Sequence, residues 1–194
     1  ILKKLKEYYK LADKFYHLPY TPREIIANHP NMKKVNFVSY GKFTFRRLSK
    51  KKINCLIMDN GTRALSTAIE SILTNIIKLK KINFYIGIDS LSEKAKKIIS
   101  ENSNLFPISG LKNMHSYIAS VDFVIARGGY NTLTECLILK KPSLLIYETN
   151  NKEISHNISS LKADNLCEVV YQSDFKKNIN KKLMHFIKFK KDKI

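Results

Sequence analysis

Short apolar runs alternate with segments of helical periodicity over most of the chain, and this alternation restricts the fold more than any other feature. The runs are largely apolar, as is typical of parallel strands buried on both faces, and they cover residues 53–58, 82–88, 104–108, 122–126, 143–147 and 167–170. Between them, apolar residues recur every three or four positions. Because right-handed crossovers join such strands, the sequence predicts an α/β fold with a doubly wound parallel sheet of five or six strands.

The helices predicted between these strands cover residues 62–78, 92–100, 113–120, 130–139 and 153–161. Ser92 is the predicted N-cap of the second one. A further helix after Ser173 has a lysine-rich face opposite an apolar stripe of Phe175, Ile179, Leu183, Phe186 and Ile187. We expect this helix to dock on the sheet, and the alternative is that it lies on a bilayer surface.

The first 50 residues lack the alternation and are too short for a domain of their own. A helix is predicted over residues 1–14, and two isolated strands are predicted within residues 14–20 and 34–43. An isoleucine stands where an initiator methionine would be, which indicates a fragment or a processed product. The expected division is a remnant of another domain with a linker at 1–50, a sheet domain at 51–172 and an amphipathic helix at 173–194.

The formal net charge is +19, from 35 lysines and arginines against 16 acids. Such an excess suits nucleic acid, an anionic membrane surface, or compositional drift in a chain rich in Lys, Ile and Asn. Nucleic acid is disfavoured, because the lysines are spread over the whole chain and no stripe interleaves arginines with aromatic residues. We expect drift combined with a mild preference for an anionic membrane.

Three cysteines, Cys55, Cys136 and Cys167, lie far apart and share no metal-ligand spacing. This pattern predicts buried, reduced thiols rather than a disulfide framework or a zinc site, with Cys136 in the core. No apolar run reaches the roughly 18 residues that span a bilayer, and the first ten residues are charged and amphipathic. We therefore expect a soluble, cytoplasmic chain.

Two glycine turns follow predicted strands. Gly61 comes after residues 53–58, and the pair Gly128 and Gly129 comes after residues 122–126. In an open parallel sheet the ligand crevice lies at the carboxyl ends of the strands, where helix N-termini and glycine allow an anion to approach the backbone. Residues 59–63 and 127–132 are thus candidate anion sites. Neither is a Walker or G-x-G-x-x-G loop, and turn geometry alone is the alternative explanation.

Glu135 has two interpretations. Thr132 and Glu135 have the spacing of a capping box, in which the glutamate would bond to the backbone of its own helix. The paired glycines indicate instead that the helix begins earlier, which leaves Thr132 inside the first turn. The carboxylate would then be available to accept hydrogen bonds from two vicinal hydroxyls, as a ribose offers. His115 and His156 are expected to be structural or surface residues, because neither has an acid at useful spacing.

The stretch "ARGGYNTLTECLILKKPSLLI", followed by "EISHNISSLKADNLCEVV", resembles the C-terminal half of a GT-B glycosyltransferase. The similar branch contains the peptidoglycan lipid-intermediate GlcNAc transferase and reads roughly R-[SG]-G-x-x-T-x-x-E, then a proline, an apolar strand and E/Q-x-x-x-N. Met114 and Asp122 also match the family's lead-in, and the likeness covers residues 52–170. The matching motif residues are Arg127, Gly128, Gly129, Thr132, Glu135, Pro142, Glu153 and Asn157.

The resemblance implies a Rossmann-like donor domain that binds a UDP-sugar. Glu135 would hold the ribose hydroxyls, and the backbone at Gly110 and Leu111 would meet the base. Glu153 would approach the donor sugar. The diphosphate would face the turn formed by Arg127, Gly128, Gly129, Asn131 and Thr132. The other side of the crevice would be lined by Gly61, Thr62 and Arg63.

The resemblance further implies chemistry without a metal ion, since helix N-termini and basic side chains would stabilise the departing diphosphate. Two positions depart from the family pattern: Ile154 replaces an amide, and residues 59–62 replace a Gly-Gly-Ser turn. The acceptor-binding half, which supplies the general base, is absent, so the catalytic residue is unknown. His17, Lys42 and Arg46 are candidates to face the cleft.

The function expected is the donor-binding part of a glycosyltransferase that moves a sugar, N-acetylhexosamine by preference, from UDP to an acceptor. A lipid-linked acceptor is the leading candidate, at the cytoplasmic face of a membrane, and a partner chain or a missing N-terminal half would complete the enzyme. The alternatives are a UDP-sugar hydrolase or UDP-GlcNAc 2-epimerase on the same scaffold, and a non-catalytic subunit of a split transferase. Arg127 disfavours the epimerase, whose motif usually has an acid or serine before the glycines.

Overall fold

A computed structural model describes residues 16–17, 19–21, 23, 32–36, 43–58, 63–147, 151–163 and 167–191. The chain divides into two compact units, Ile1–Val38 and Ser39–Ile194. In the first unit, strand β1 (Tyr16–His17) pairs in parallel with strand β2 (Lys33–Lys34). The two strands predicted as isolated therefore pair with each other in part. The second was wrongly placed, because residues 35, 36 and 43 are not strand. The helix predicted at 1–14 lies outside the described residues.

The second unit contains strands and helices in strict alternation from residue 53 onward. Its strands are β3 (Ile53–Ile57), β4 (Ile82–Gly87), β5 (Leu105–Ile108), β6 (Phe123–Arg127), β7 (Ser143–Tyr147) and β8 (Glu168–Tyr171). Its helices are α1 (Arg63–Ile76), α2 (Glu93–Ser100), α3 (Leu111–Ser120), α4 (Tyr130–Ile138), α5 (Lys152–Ala163) and α6 (Phe175–Lys191). A short 3-10 turn, Gln172–Asp174, precedes α6. The predicted α/β alternation is confirmed, with helix ends that differ by at most two residues.

The six strands form one parallel sheet with the order β5-β4-β3-β6-β7-β8. Pro107, which cannot donate to a ladder, lies on the edge strand β5. The order reverses between β3 and β6, which are neighbours in register through Ile57 and Ile125. In a doubly wound sheet the ligand crevice lies outside the carboxyl ends of the strands at such a reversal. The predicted fold class is confirmed, and the reversal indicates where a site would lie.

The core lies between the sheet and the helices on its faces. Phe84 and Phe123 on the strands are fully buried, as is Phe175 at the start of α6. Ile179 and Leu183 continue the apolar stripe of α6 into the same core, and Nδ2 of Asn75 on α1 donates to the Lys176 carbonyl over 3.1 Å. The prediction that the C-terminal helix docks on the sheet domain is therefore confirmed for the described part of its stripe. None of the described helices combines the length and the apolar character needed to cross a membrane.

Polar groups fasten the amino ends of the two central strands. Oδ2 of Asp122 accepts from the Asn54 amide over 2.8 Å, and the Asp122 amide donates to the Asn54 carbonyl over 2.8 Å. Nδ2 of Asn54 in turn donates to the Ser49 carbonyl over 2.8 Å. Asp122, which matched the lead-in pattern, thus joins β3 to β6 at the sheet edge opposite the carboxyl ends. These hydrogen bonds give Asp122 a structural role in the sheet.

Candidate functional site

The glycine turn after β6 leads directly into α4. Gly129 is the N-cap residue, with φ −70° and ψ 139°, and α4 begins at Tyr130. The Leu133 amide donates to the Gly129 carbonyl over 3.1 Å, which closes the first helical turn. Within the described residues, no side chain caps this helix. Since the first-turn N–H groups of any helix lack intrahelical acceptors, the turn presents backbone donors at the carboxyl end of β6.

The two adjacent glycines have different environments. A methyl group at Gly128 would lie 2.5 Å from Cγ1 and 2.7 Å from Cδ1 of Ile158, so packing against α5 excludes a side chain there. At Gly129 no described atom would lie within 4 Å of an added methyl group. Its backbone conformation is also open to any residue. Glycine is therefore required by packing at 128, whereas neither packing nor conformation requires it at 129.

Helix α5 fixes the turn in a second way. Nδ2 of the buried Asn157 donates to the Gly128 carbonyl over 3.1 Å. Ile154, the departure from the family pattern, is buried beside the same glycine, with Cγ2 3.4 Å from the position of an added methyl group. Oδ1 of Asn151 accepts from the Ile154 amide over 3.1 Å and caps α5. Two residues of α5 thus hold the turn in place: Asn157 by a hydrogen bond and Ile154 by packing.

The start of α4 decides between the two interpretations of Glu135. Because Gly129 is the N-cap, Thr132 is the third helical residue and cannot be the capping residue of a capping box. The capping-box interpretation is wrong, and the earlier helix start is confirmed. The Glu135 side chain is buried within the domain, nearly two helical turns beyond the glycines.

His115, which was expected to be a structural or surface residue, contacts an acid that its sequence spacing did not indicate. Nδ1 of His115, on α3, lies 2.7 Å from Oε1 of Glu135, on α4, at an ion-pair distance. The histidine side chain is 37% exposed, whereas that of the glutamate is 5% exposed. Burial raises the pKa of Glu135 above its ordinary value, and the neighbouring imidazole opposes that rise. Sequence spacing gave no signal for this pair, because packing between two helices creates it.

A second turn lies on the other side of the sheet reversal, after β5. Gly110 is the N-cap of α3 with φ 82°, a left-handed conformation that favours glycine. Asp89, in the turn after β4, holds this segment: Oδ1 accepts from Oγ of Ser109 over 2.8 Å, and Oδ2 accepts from the Gly110 amide over 2.9 Å. The bond from Ser109, followed by that from Gly110, lowers the pKa of Asp89. Sequence reasoning missed Asp89, although an acid just beyond a strand's carboxyl end was an available signal.

The comparison with protein families decides the family. The model of the glycosyltransferase family 28 C-terminal domain matches residues 60–193. The chain belongs to glycosyltransferase family 28. The family resemblance inferred from the sequence is thereby confirmed.

A relative of established name has a similar sequence over much of this chain. The UDP-N-acetylglucosamine–N-acetylmuramyl-(pentapeptide) pyrophosphoryl-undecaprenol N-acetylglucosamine transferase of Sulfurihydrogenibium sp. (strain YO3AOP1) is 26% identical over 132 residues, which are 66% of this chain and 37% of the relative. The chain thus spans little more than a third of that protein's length.

Solved structures share the fold. Acinetobacter baumannii MurG superposes with a TM-score of 0.56 at 18% identity, over 71% of this chain and 42% of that one. The UDP-GlcNAc 2-epimerase of Neisseria meningitidis, solved with UDP-GlcNAc bound, superposes with a TM-score of 0.53 at 14% identity, over 88% of this chain and 41% of that one. At these identities the likeness concerns the fold alone.

The remaining motif residues of this family 28 chain are distributed around the glycine turn. Arg127 ends β6 and is half-buried, Thr132 is half-buried, and Asn131 is exposed in the first turn of α4. Glu153 is exposed in the first turn of α5. The other predicted site residues are less completely described: Arg63 and Leu111 begin α1 and α3 without a described side chain, and Gly61 and Thr62 lie outside the described residues.

Arg46, a candidate to face the cleft, is held by α3. Its Nε donates to Oγ of Ser116 over 2.7 Å, and its amide donates to Oγ of Ser120 over 2.6 Å. Its guanidinium lies 4.5 Å from the ring centroid of Tyr117. These contacts anchor the segment before β3 on the second unit. Of the other cleft candidates, Lys42 lies outside the described residues and His17 belongs to β1 in the first unit.

Of the three described cysteines, Cys55 and Cys136 are buried, as predicted, whereas Cys167 is only half-buried, so the prediction of burial is wrong for Cys167. Burial raises the pKa of Cys136 to about 11, and that of Cys167 likewise to about 11. The prediction that Cys136 belongs to the core is confirmed by its burial. Neither thiol is available as a thiolate nucleophile near neutral pH.

Proposed function

We propose that this chain is the donor-binding part of a glycosyltransferase that moves a sugar, N-acetylhexosamine by preference, from a UDP-sugar to an acceptor. One observation carries the proposal: Gly129 has no side chain, although neither packing nor conformation demands its absence. The open space lies at the N-terminus of α4, beside the reversal of the strand order. A group that must approach the backbone closely, such as a diphosphate, accounts for glycine there.

The diphosphate would meet backbone donors and a positive helix end. Residues 130–132 contribute the first-turn N–H groups of α4, and the helix dipole adds partial positive charge at the same end. Arg127, at the end of β6, supplies a permanent cation next to the turn. These groups would stabilise the negative charge that grows on a departing UDP, so the proposal includes no metal ion.

The nucleoside would extend from the turn toward α3. Glu135, on the same helix as the turn, has the chemistry to accept hydrogen bonds from two vicinal ribose hydroxyls. Gly110 and Leu111, held in place by Asp89, would offer backbone groups to the base. Glu153 would approach the sugar from α5, and Gly61, Thr62 and Arg63 would line the crevice after β3. The named activity of the curated relative, which uses a UDP-linked N-acetylglucosamine donor, supports this arrangement.

The acceptor and the catalytic base would come from elsewhere, because the chain spans 37% of its curated relative. A missing N-terminal half or a partner chain would supply them. The relative's name includes a pyrophosphoryl-undecaprenol acceptor, which supports a lipid-linked acceptor here. The net charge of +19 suits a peripheral position at the anionic cytoplasmic face of a membrane.

Nucleotide preference tests the proposal. The chain is titrated by calorimetry with UDP, UDP-GlcNAc, GDP and ADP, with and without EDTA. We expect the uridine nucleotides to bind at least about tenfold more tightly than GDP or ADP, a difference of ~1.4 kcal/mol, with no effect of EDTA. Equal affinities for all four nucleotides would contradict the UDP-sugar assignment. Binding that EDTA abolishes would contradict the metal-free mechanism.

A further inference from the structure

The pairing of His115 with Glu135 has no counterpart in the motif that identified the site. Glu135 is almost completely shielded from solvent, and a carboxylate in such a place is costly unless it has a partner. In a surface pair such as Lys96 with Glu93, the glutamate side chain is 89% exposed, so water solvates its charge and a partner is not required. His115, whose Nδ1 lies 2.7 Å from Oε1 of Glu135, favours the charged form of this carboxylate and so opposes the effect of burial.

The position of His115 links two parts of the proposed nucleoside site. It lies four residues after Leu111 on α3, so both residues lie on the same face of that helix, one turn apart. Its imidazole reaches Glu135 on α4, while the backbone at Gly110 and Leu111 begins the helix that carries it. The histidine thus lies between the proposed base contact and the proposed ribose contact.

The carboxylate retains capacity for a ligand while it is paired. Two carboxylate oxygens offer about four lone-pair directions, and the contact with His115 involves Oε1 alone. A glutamate whose orientation is already fixed loses less side-chain entropy when it accepts a ligand's hydroxyls than a freely rotating one does. With 37% of its side chain exposed, His115 is also accessible from solvent beside the buried acid.

We propose that His115 is a positioning residue that fixes the Glu135 carboxylate for the vicinal hydroxyls of the donor ribose, an inference that rests on the proposed function. A histidine with a purely structural role would contribute to folding without affecting which sugar is recognised. The ratio of affinities for UDP and 2′-deoxy-UDP separates the two roles, because the two ligands differ only in one of those hydroxyls. Any effect on the diphosphate or base cancels in this ratio.

The test uses calorimetric titration of the chain with both nucleotides, and thermal unfolding establishes that each variant is folded. The variants are His115→Ala, His115→Gln and Glu135→Ala, with His185→Ala, an exposed histidine of α6, as the matched control. We expect wild type and His185→Ala to prefer UDP by about tenfold and Glu135→Ala to show a ratio near one. In His115→Ala the ratio is expected to fall by about three- to tenfold, the effect of an unfixed side chain.

His115→Gln keeps an N–H donor that can reach a carboxylate, so it is expected to recover part of the ratio. It also provides a folded variant if alanine unfolds the chain. A wild-type ratio in both His115 variants, together with its loss in Glu135→Ala, would overturn the positioning role and leave the donor site intact. A ratio near one in the wild-type chain would overturn the ribose site and the positioning role together.

Discussion

Gly128→Ala is expected to destabilise the chain by about 1–3 kcal/mol, as overpacking of a filled core typically does. The added methyl group would lie 2.5 Å from Cγ1 of Ile158, a buried side chain on α5. Relief requires Ile158 to leave its rotamer or α5 to move, and a movement of α5 would also strain the bond from Asn157 to the Gly128 carbonyl. Urea unfolding followed by circular dichroism measures the change in the free energy of unfolding.

Gly129→Ala is the matched control for packing. No described atom lies within 4 Å of the added methyl group, and the φ of −70° suits alanine. Alanine lowers the conformational entropy of the unfolded chain, which stabilises the fold, but it is a poorer N-cap residue than glycine, which destabilises it. The free energy of unfolding is therefore expected to stay within about 0.5 kcal/mol of wild type. Affinity for UDP is nevertheless expected to fall by about tenfold, because the methyl group occupies the approach to the α4 amides. A neutral Gly128→Ala, or a Gly129→Ala with undiminished UDP affinity, would contradict the separate roles of the two glycines.

Glu135→Ala is expected to weaken UDP binding by about 10- to 100-fold, since hydrogen bonds to a charged group contribute roughly 1.5–3 kcal/mol. Glu135→Gln retains the size of the side chain and one acceptor oxygen but loses the charge, and its affinity is expected to lie between those of wild type and Glu135→Ala. Calorimetric titration with UDP measures both variants.

The control for charge is Glu101→Ala, at the exposed C-cap of α2, which is expected to bind UDP as wild type does. Thermal unfolding of each variant distinguishes loss of the contact from loss of the fold, because Glu135→Ala leaves His115 without its carboxylate. Wild-type UDP affinity in a folded Glu135→Ala would exclude the ribose role.

The sequence predicted the sheet well because its signals are local. Each strand buried on both faces must be apolar along its length, so the runs that include Ile57, Phe84 and Ile125 were visible without any partner. The start of α4 was also predictable, since the paired glycines interrupt the helical pattern before Tyr130. The N-terminal strands were predicted less well, because β1 and β2 are only two residues long and carry almost no periodic signal.

The contacts that define the site were not predictable in the same way. His115 and Glu135 are on different helices, and only the packing of α3 against α4 brings them together. The two glycines are identical in the sequence, yet Ile158 makes one of them a packing requirement and leaves the other unexplained by packing. Likewise, Asp89 reaches Gly110 because β4 and β5 are neighbours in the sheet. Such roles depend on residues that approach from distant parts of the chain.

The location of the donor is the central claim, and amide chemical-shift mapping by NMR tests it most directly. The isotopically labelled chain of 194 residues is titrated with UDP, and the shift of every assigned amide is followed to saturation. The largest shifts are expected at Gly110 and Leu111, at residues 128–132 and at Glu135, which lie on α3, on α4 and on the turns that precede these two helices. Shifts confined to other parts of the chain, such as the cavity near Cys167 and Lys182 at the β8 edge, would contradict it.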